Sequence, residues 1–168
     1  AMNGRGFTEV AEKLFELSSR HKRPTSIAYI DLDNFKKVND ELGHHEGDRV
    51  LKTVGGILLN SVRKSDVVGR LGGDEFSVIL PETNEIGAKS TFTKLKDELN
   101  DAMKQHSWPI GFSVGVDAYT IELLARVDGR RRLRDLFTDI ARDSKLEEDS
   151  VARAGLPAER DRPHRALA

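Results

Sequence analysis

The feature that most constrains this chain is residues 66–81, DVVGRLGGDEFSVILP, where two short apolar runs flank a pair of glycines. Val67, Val68 and Leu71, then Phe76, Val78, Ile79 and Leu80, are predicted as two strands, with Gly72-Gly73 as the hairpin signal between them. The tip carries two adjacent carboxylates, Asp74 and Glu75. Neighbouring strand positions face opposite ways, so one carboxylate can reach a metal or substrate while the other points elsewhere. Glycines without side chains also let a phosphorylated or planar ligand approach the backbone closely. Taken alone this is an ordinary charged hairpin, and the rest of the chain decides whether it is more.

With 168 residues the chain suits one domain with a substantial core. A net charge of -1 makes no electrostatic case for nucleic acid as a partner. The absence of cysteine excludes a disulfide framework and a thiolate zinc site, and fits a reducing, cytoplasmic setting. No apolar run approaches the ~20 residues of a membrane span, although an upstream membrane anchor remains compatible with the sequence. Ala1-Met2 reads as a non-native lead-in.

Residues 8–20 place Val10, Leu14 and Leu17 at helical spacing, widened by Ala11 and Phe15. Residues 26–30 read as a buried strand that ends in Asp31-Leu32-Asp33. Two carboxylates two residues apart on a strand point the same way, a recurrent geometry for a divalent cation beside phosphate. The plainer reading of Asp33 is a helix cap. Residues 34–42 form a short helix ending at Gly43, followed by a polar turn at 44–48 whose His44 and His45 are expected at the surface rather than on a metal. A helix over 48–61 contains Gly55-Gly56, which predicts close packing against a neighbour. Residues 84–105 form a long helix, and 110–116 a strand. The order is helix, strand, helix, helix, hairpin, helix, strand, hence an α+β sandwich.

Composition changes after residue 120: residues 1–120 hold 10 Lys and 6 Arg, whereas 121–168 hold 1 Lys and 10 Arg. Three segments are therefore expected: a core over 1–120, an atypical helical segment over 121–146, and a disordered tail over 147–168.

Four separated motifs, Asp31-Leu32-Asp33-Asn34-Phe35-Lys36, Asn39-Asp40 with Gly43-His44 and Gly47-Asp48, Arg63-Lys64-Ser65-Asp66, and Gly72-Gly73-Asp74-Glu75-Phe76, stand in one order. Together they resemble the GGDEF family of diguanylate cyclases, which condense two GTP molecules into cyclic di-GMP. The resemblance covers about residues 3–116 and implies a ferredoxin-like fold of the nucleotidyl cyclase, palm type, with a central antiparallel sheet flanked by helices. It implies that Asp31, the Leu32 carbonyl and Asp74 hold Mg²⁺ or Mn²⁺, that Asp74 assists deprotonation of the attacking hydroxyl, and that Glu75 supports the metal. It implies further that Asn39 and Asp48 read the guanine edge, and that Lys36 and the backbone amides of Asn34 and Phe35 receive the triphosphate beside Gly72 and Gly73. Arg63 and Asp66 match the family's inhibitory product site.

The resemblance also implies a homodimer, one GTP per domain, and an upstream sensory or receiver module. The family's closing helix starts at Glu122-Leu123-Leu124 and is abandoned at Gly129-Arg130-Arg131-Arg132, removing phosphate-binding basic residues and predicting weaker GTP binding. Two other readings stand beside the cyclase: a non-catalytic cyclic di-GMP receptor using Arg63 and Asp66, and a regulatory GTP-binding domain.

Overall fold

The computed structural model describes residues 1–119; the segments expected over 121–146 and 147–168 lie outside the described residues. A five-stranded sheet is built from β1 (Met2–Asn3), β2 (Thr25–Asp33), β3 (Val67–Gly72), β4 (Glu75–Pro81) and β5 (Gly111–Tyr119), in the order β1-β3-β4-β2-β5. The short β1 runs parallel to β3, and the remaining three pairings are antiparallel. Four helices complete the described chain: α1 (Gly4–His21), α2 (Phe35–Leu42), α3 (His44–Ser61) and α4 (Glu85–Gln105). This is the α+β, ferredoxin-like arrangement expected from the sequence.

The alternation of β2 divides the interior in two. Ala28, Ile30 and Leu32 face a large cluster with Val38 of α2, Val50, Val54 and Leu58 of α3, and Phe92, Leu95 and Leu99 of α4. Ile27 and Tyr29 face the other way, against Phe7 and Ala11 of α1 and Ile79 of β4. A strand covered on both faces reads as a continuous apolar run, which is why residues 26–30 were legible without alternation.

Three boundaries differ from expectation. Helix α1 begins at Gly4 instead of residue 8, because the Asn3 side chain accepts from the Gly6 N–H at 2.9 Å and caps it; Gly4 and Gly6 conceal this start in the sequence. The expected turn over 44–48 is helical, since α3 begins at His44 and Gly43 alone, at φ +90°, separates it from α2. Gly55-Gly56 is not a close-packing contact. A Cβ on Gly55 would meet only Phe76 Cε1 at 3.7 Å, and one on Gly56 nothing within 4 Å.

Close packing occurs instead at Gly69 in β3, where a Cβ would stand 2.4 Å from the ring of fully buried Phe7. The Gly69→Ala variant is expected to lose about 1–3 kcal/mol by overpacking, lowering Tm by several degrees in a thermal melt. An unchanged Tm would mean that α1 does not seat on β3 in this way.

Candidate active site

The hairpin tip differs in detail from a Gly-Gly turn. β3 includes Gly72, which pairs with Glu75, so Gly73 and Asp74 form the two-residue loop. Neither has positive φ, whereas the mirror-image turns usual in such loops need it. The register shift between Arg70 and Gly72 leaves Leu71 as an extra residue on β3, and a bulge of this kind restores the twist. Arg70, which the sequence reading did not single out, clamps the tip: its Nε and Nη2 donate to the Gly73 carbonyl at 3.0 and 2.7 Å. An arginine two residues before a glycine pair was the available signal.

Antiparallel pairing sets Asp31 of β2 directly opposite Glu75 of β4. The Leu32 N–H donates to the Asp74 carbonyl at 3.3 Å, tying the hairpin tip to the end of β2. Asp31, Leu32, Asp74 and Glu75 are thereby brought together. Tyr29, also missed in the sequence, shares the Asp31 face two residues upstream. Burial, then its hydrogen bond to Glu75, then the negative field of Glu75, Asp31 and Asp74 push the Tyr29 hydroxyl well above the ordinary phenol range. It therefore stays protonated and donates to Glu75.

Like charges directly opposed across a sheet are unfavourable, and oxygen donors of this kind match a hard divalent cation. The residues present thus fit Mg²⁺ or Mn²⁺ held by carboxylates with a backbone oxygen. Among the described residues no three His, Cys, Asp or Glu side chains converge as a ready-made cage, so the Leu32 carbonyl and ligand oxygens would have to complete such a site. Asp33, two residues along the same face of β2 as Asp31, is engaged differently. It is not a cap, because Asn34 holds the cap position without a side-chain bond; its two carboxylate oxygens accept from Ser113 Oγ, each at 2.9 Å.

Asn34 adopts a left-handed conformation, φ 66° and ψ 14°, which asparagine tolerates better than most residues. Helix α2 therefore starts at Phe35 with no capping side chain on its first amides, an arrangement suited to an anion. Lys36 is exposed on that first turn. One turn on, Asn39 rests against the next helix so closely that a Cβ on Gly47 would lie 2.0 Å from its Oδ1. Asp48 follows Gly47 on α3, so Asn39 packs against the residue that precedes Asp48 in sequence. Asp48 borders a cavity of about 410 Å³ with apolar sides from Leu51, Leu59 and Phe76, and with Lys52 and Arg70 also lining it.

Arg63 and Asp66 are joined through a turn rather than a side-chain ion pair. The Arg63 N–H donates to Asp66 Oδ2 at 2.8 Å and the Asp66 N–H to the Arg63 carbonyl at 3.0 Å, leaving the guanidinium exposed. They sit at the start of β3, the end opposite the hairpin tip, about 20 Å away at the usual strand rise.

His44 and His45 are exposed, as expected. Their neighbour Glu46 accepts from Trp108 Nε1 at 2.8 Å and from Arg49 Nη1 at 3.0 and 2.9 Å, pinning α3 to the segment after α4. The Trp108 bond, followed by Arg49 and His45, holds the Glu46 carboxyl below its ordinary range, against a smaller opposing effect of desolvation. A lowered native pKa gives a contribution present above the unfolded value and lost as pH falls through the folded one. Trp108 is the only tryptophan. Its fluorescence is expected to titrate below the ordinary glutamate range, and Glu46→Gln to abolish that step; an identical titration in the variant would exclude Glu46 as its source.

Residues 2–128 match the family model described as "Diguanylate cyclase, GGDEF domain", extending past the expected resemblance to 116 and stopping just before Gly129. The probable diguanylate cyclase DgcE of Escherichia coli is 42% identical over 85 residues, 51% of this chain and 8% of that protein. The cyclic di-GMP phosphodiesterase NbdA of Pseudomonas aeruginosa is 34% identical over 119 residues, 70% of this chain and 15% of that protein. The chain therefore spans only a small part of these relatives. Among solved structures, the active GGEEF domain of a diguanylate cyclase from Vibrio cholerae superposes with a TM-score of 0.66 at 26% identity, covering 92% of each chain. With the family model matched over most of this chain, and with the four motifs carried on the fold seen in that domain, the chain belongs to the GGDEF domain family of diguanylate cyclases.

Proposed function

We propose that this chain condenses two GTP molecules into cyclic di-GMP and pyrophosphate. The observation that carries this reading is the register that sets Asp31 opposite Glu75 while the Leu32 amide holds Asp74 beside them. Asp31, the Leu32 carbonyl and Asp74 hold Mg²⁺ or Mn²⁺, and Glu75, oriented by Tyr29, supports them. The bound ions would neutralise triphosphate charge and make the attacking hydroxyl more acidic. Asn39 and Asp48 take the guanine edge, Asp48 accepting from base N–H groups that adenine lacks. The Asn34 and Phe35 amides with Lys36 take the phosphates, and Gly72 and Gly73 leave the hairpin tip open to them.

Each domain holds one GTP, so two copies face each other. In each half-reaction a 3′-hydroxyl attacks the partner nucleotide's α-phosphorus, the new P–O bond forms as the bond to pyrophosphate breaks, and Asp74 assists removal of the hydroxyl proton. Product held by the exposed Arg63 guanidinium beside Asp66 restrains turnover from the far end of the hairpin. Among the described residues no helix is long and apolar enough to cross a membrane; GTP as substrate places the domain in the cytoplasm, with an upstream sensory or receiver module as its input.

A second reading, a domain that binds GTP or cyclic di-GMP to control an attached enzyme, is favoured by the similarity to NbdA, a protein named as a phosphodiesterase. Product formation from GTP and Mg²⁺ across a range of protein concentrations separates the two. Cyclic di-GMP appearing with a steeper than linear dependence on protein supports the dimeric cyclase. Nucleotide binding without product at any concentration supports the regulatory domain. In the active case, Arg63→Ala is expected to relieve inhibition by added cyclic di-GMP, and undiminished inhibition would remove the proposed role of that site.

A further inference from the structure

We propose that Gly55 and Gly56 of α3 determine the size of the nucleotide-base pocket by leaving its helical wall without side chains, so that a purine ring lies against the helix backbone. This rests on the reading above, in which Asp48 takes the guanine edge.

Two consecutive glycines inside an 18-residue helix weaken it, by the loss of backbone order they impose relative to alanine. Close packing is the usual reason to retain them, and the geometry excludes it: a Cβ on Gly56 meets nothing within 4 Å, and one on Gly55 makes only an ordinary contact with Phe76. Both line the cavity that Asp48 borders, whose wall is completed by Ala1, Arg70 and Phe76. Lys52 lies four residues after Asp48, and Gly55 and Gly56 each lie three or four from Lys52 and from Leu59, so the glycines lie on the helix face that carries the proposed base-reading carboxylate. The cavity, about 410 Å³, falls within the ~300–1,000 Å³ usual for small-molecule sites. Side chains at 55 and 56 would project into this space, while Leu51, Leu59 and Phe76 supply the apolar surroundings a heteroaromatic ring requires.

The test compares Gly56→Leu with wild type for binding of a non-hydrolysable GTP analogue and for Tm. Asn60→Leu, an exposed position on the same helix outside the cavity lining, controls for added apolar surface, and Asp48→Ala reports on the base site itself. Leucine is a far better helix former than glycine, so Gly56→Leu is expected to raise Tm by about 2–4 °C. Filling the pocket is expected to weaken analogue binding at least about tenfold, with Asn60→Leu binding as wild type does. This combination of a more stable protein and a weaker site is not what a merely structural glycine produces. If Asp48→Ala weakens binding but a folded Gly56→Leu binds as tightly as wild type, the inference fails and the reading of the base site stands. If wild type binds no GTP analogue, or Asp48→Ala binds unchanged, the reading of the base site fails and takes the inference with it.

Discussion

Asp31→Asn is expected to reduce cyclic di-GMP formation by about 10²–10⁴-fold, the equivalent of several kcal/mol of charge stabilisation at the reacting phosphate. The substitution preserves shape and removes one anionic oxygen donor from the pair that faces across β2 and β4. Asp33→Asn is the informative companion. It changes a carboxylate two residues further along the same strand face, one already engaged by Ser113 Oγ, and is expected to leave turnover within a few-fold of wild type. Product measured by chromatography at several Mn²⁺ concentrations tests the assignment further, because a weakened ligand set is partly rescued by more metal. Activity of Asp31→Asn within threefold of wild type, in a folded protein, would remove Asp31 from the metal site.

The second large effect falls on substrate recognition. Asp48→Ala deletes a charged acceptor whose hydrogen bonds contribute about 1.5–3 kcal/mol, so KM for GTP is expected to rise roughly 10- to 150-fold. Preference for GTP over ATP should fall with it. Gly47→Ala approaches the same pair from the backbone. Its methyl group would stand 2.0 Å from Asn39 Oδ1 and 3.3 Å from the Phe35 ring, so the Asn39 side chain must swing away from its place against Gly47. The expected result is a KM raised about tenfold or more, as for loss of one such hydrogen bond. Helix stability is little changed, because alanine is the better helix former. An unchanged KM in both variants would show that the guanine edge is read elsewhere.

Much of the candidate site was visible as chemistry in the sequence because its residue types carry the constraint themselves. Asp31 and Asp74 bring oxygen donors, Asp48 an acceptor, and the glycine pair a hairpin signal, one residue off the Gly73-Asp74 loop that forms. Their separation by more than forty residues between Asp31 and Asp74 concealed the contact that matters. Tyr29 and Arg70 were missed for a related reason: a tyrosine in an apolar strand and an arginine near a turn look like core and surface until their partners are known. Only the pairing of β2 with β4 brings Tyr29 near Glu75, and only the bulge at Leu71 lets Arg70 reach back to the Gly73 carbonyl.

Local order was settled by the amino-acid sequence itself. The apolar periodicities of α1, α3 and α4, the buried run of β2 and the strand-turn-strand pattern at 66–81 depend on neighbours within a few residues, where propensity and burial act together. Tertiary structure decided what spacing cannot express. It extended α3 back to His44, packed Asn39 against Gly47, opposed Asp31 to Glu75, and placed the space beside Gly55 and Gly56 instead of a packed neighbour. The physical reason is that contact between distant strands and helices is selected by burial of the whole sheet, and the side chains at the hairpin tip are carried into place by that global packing.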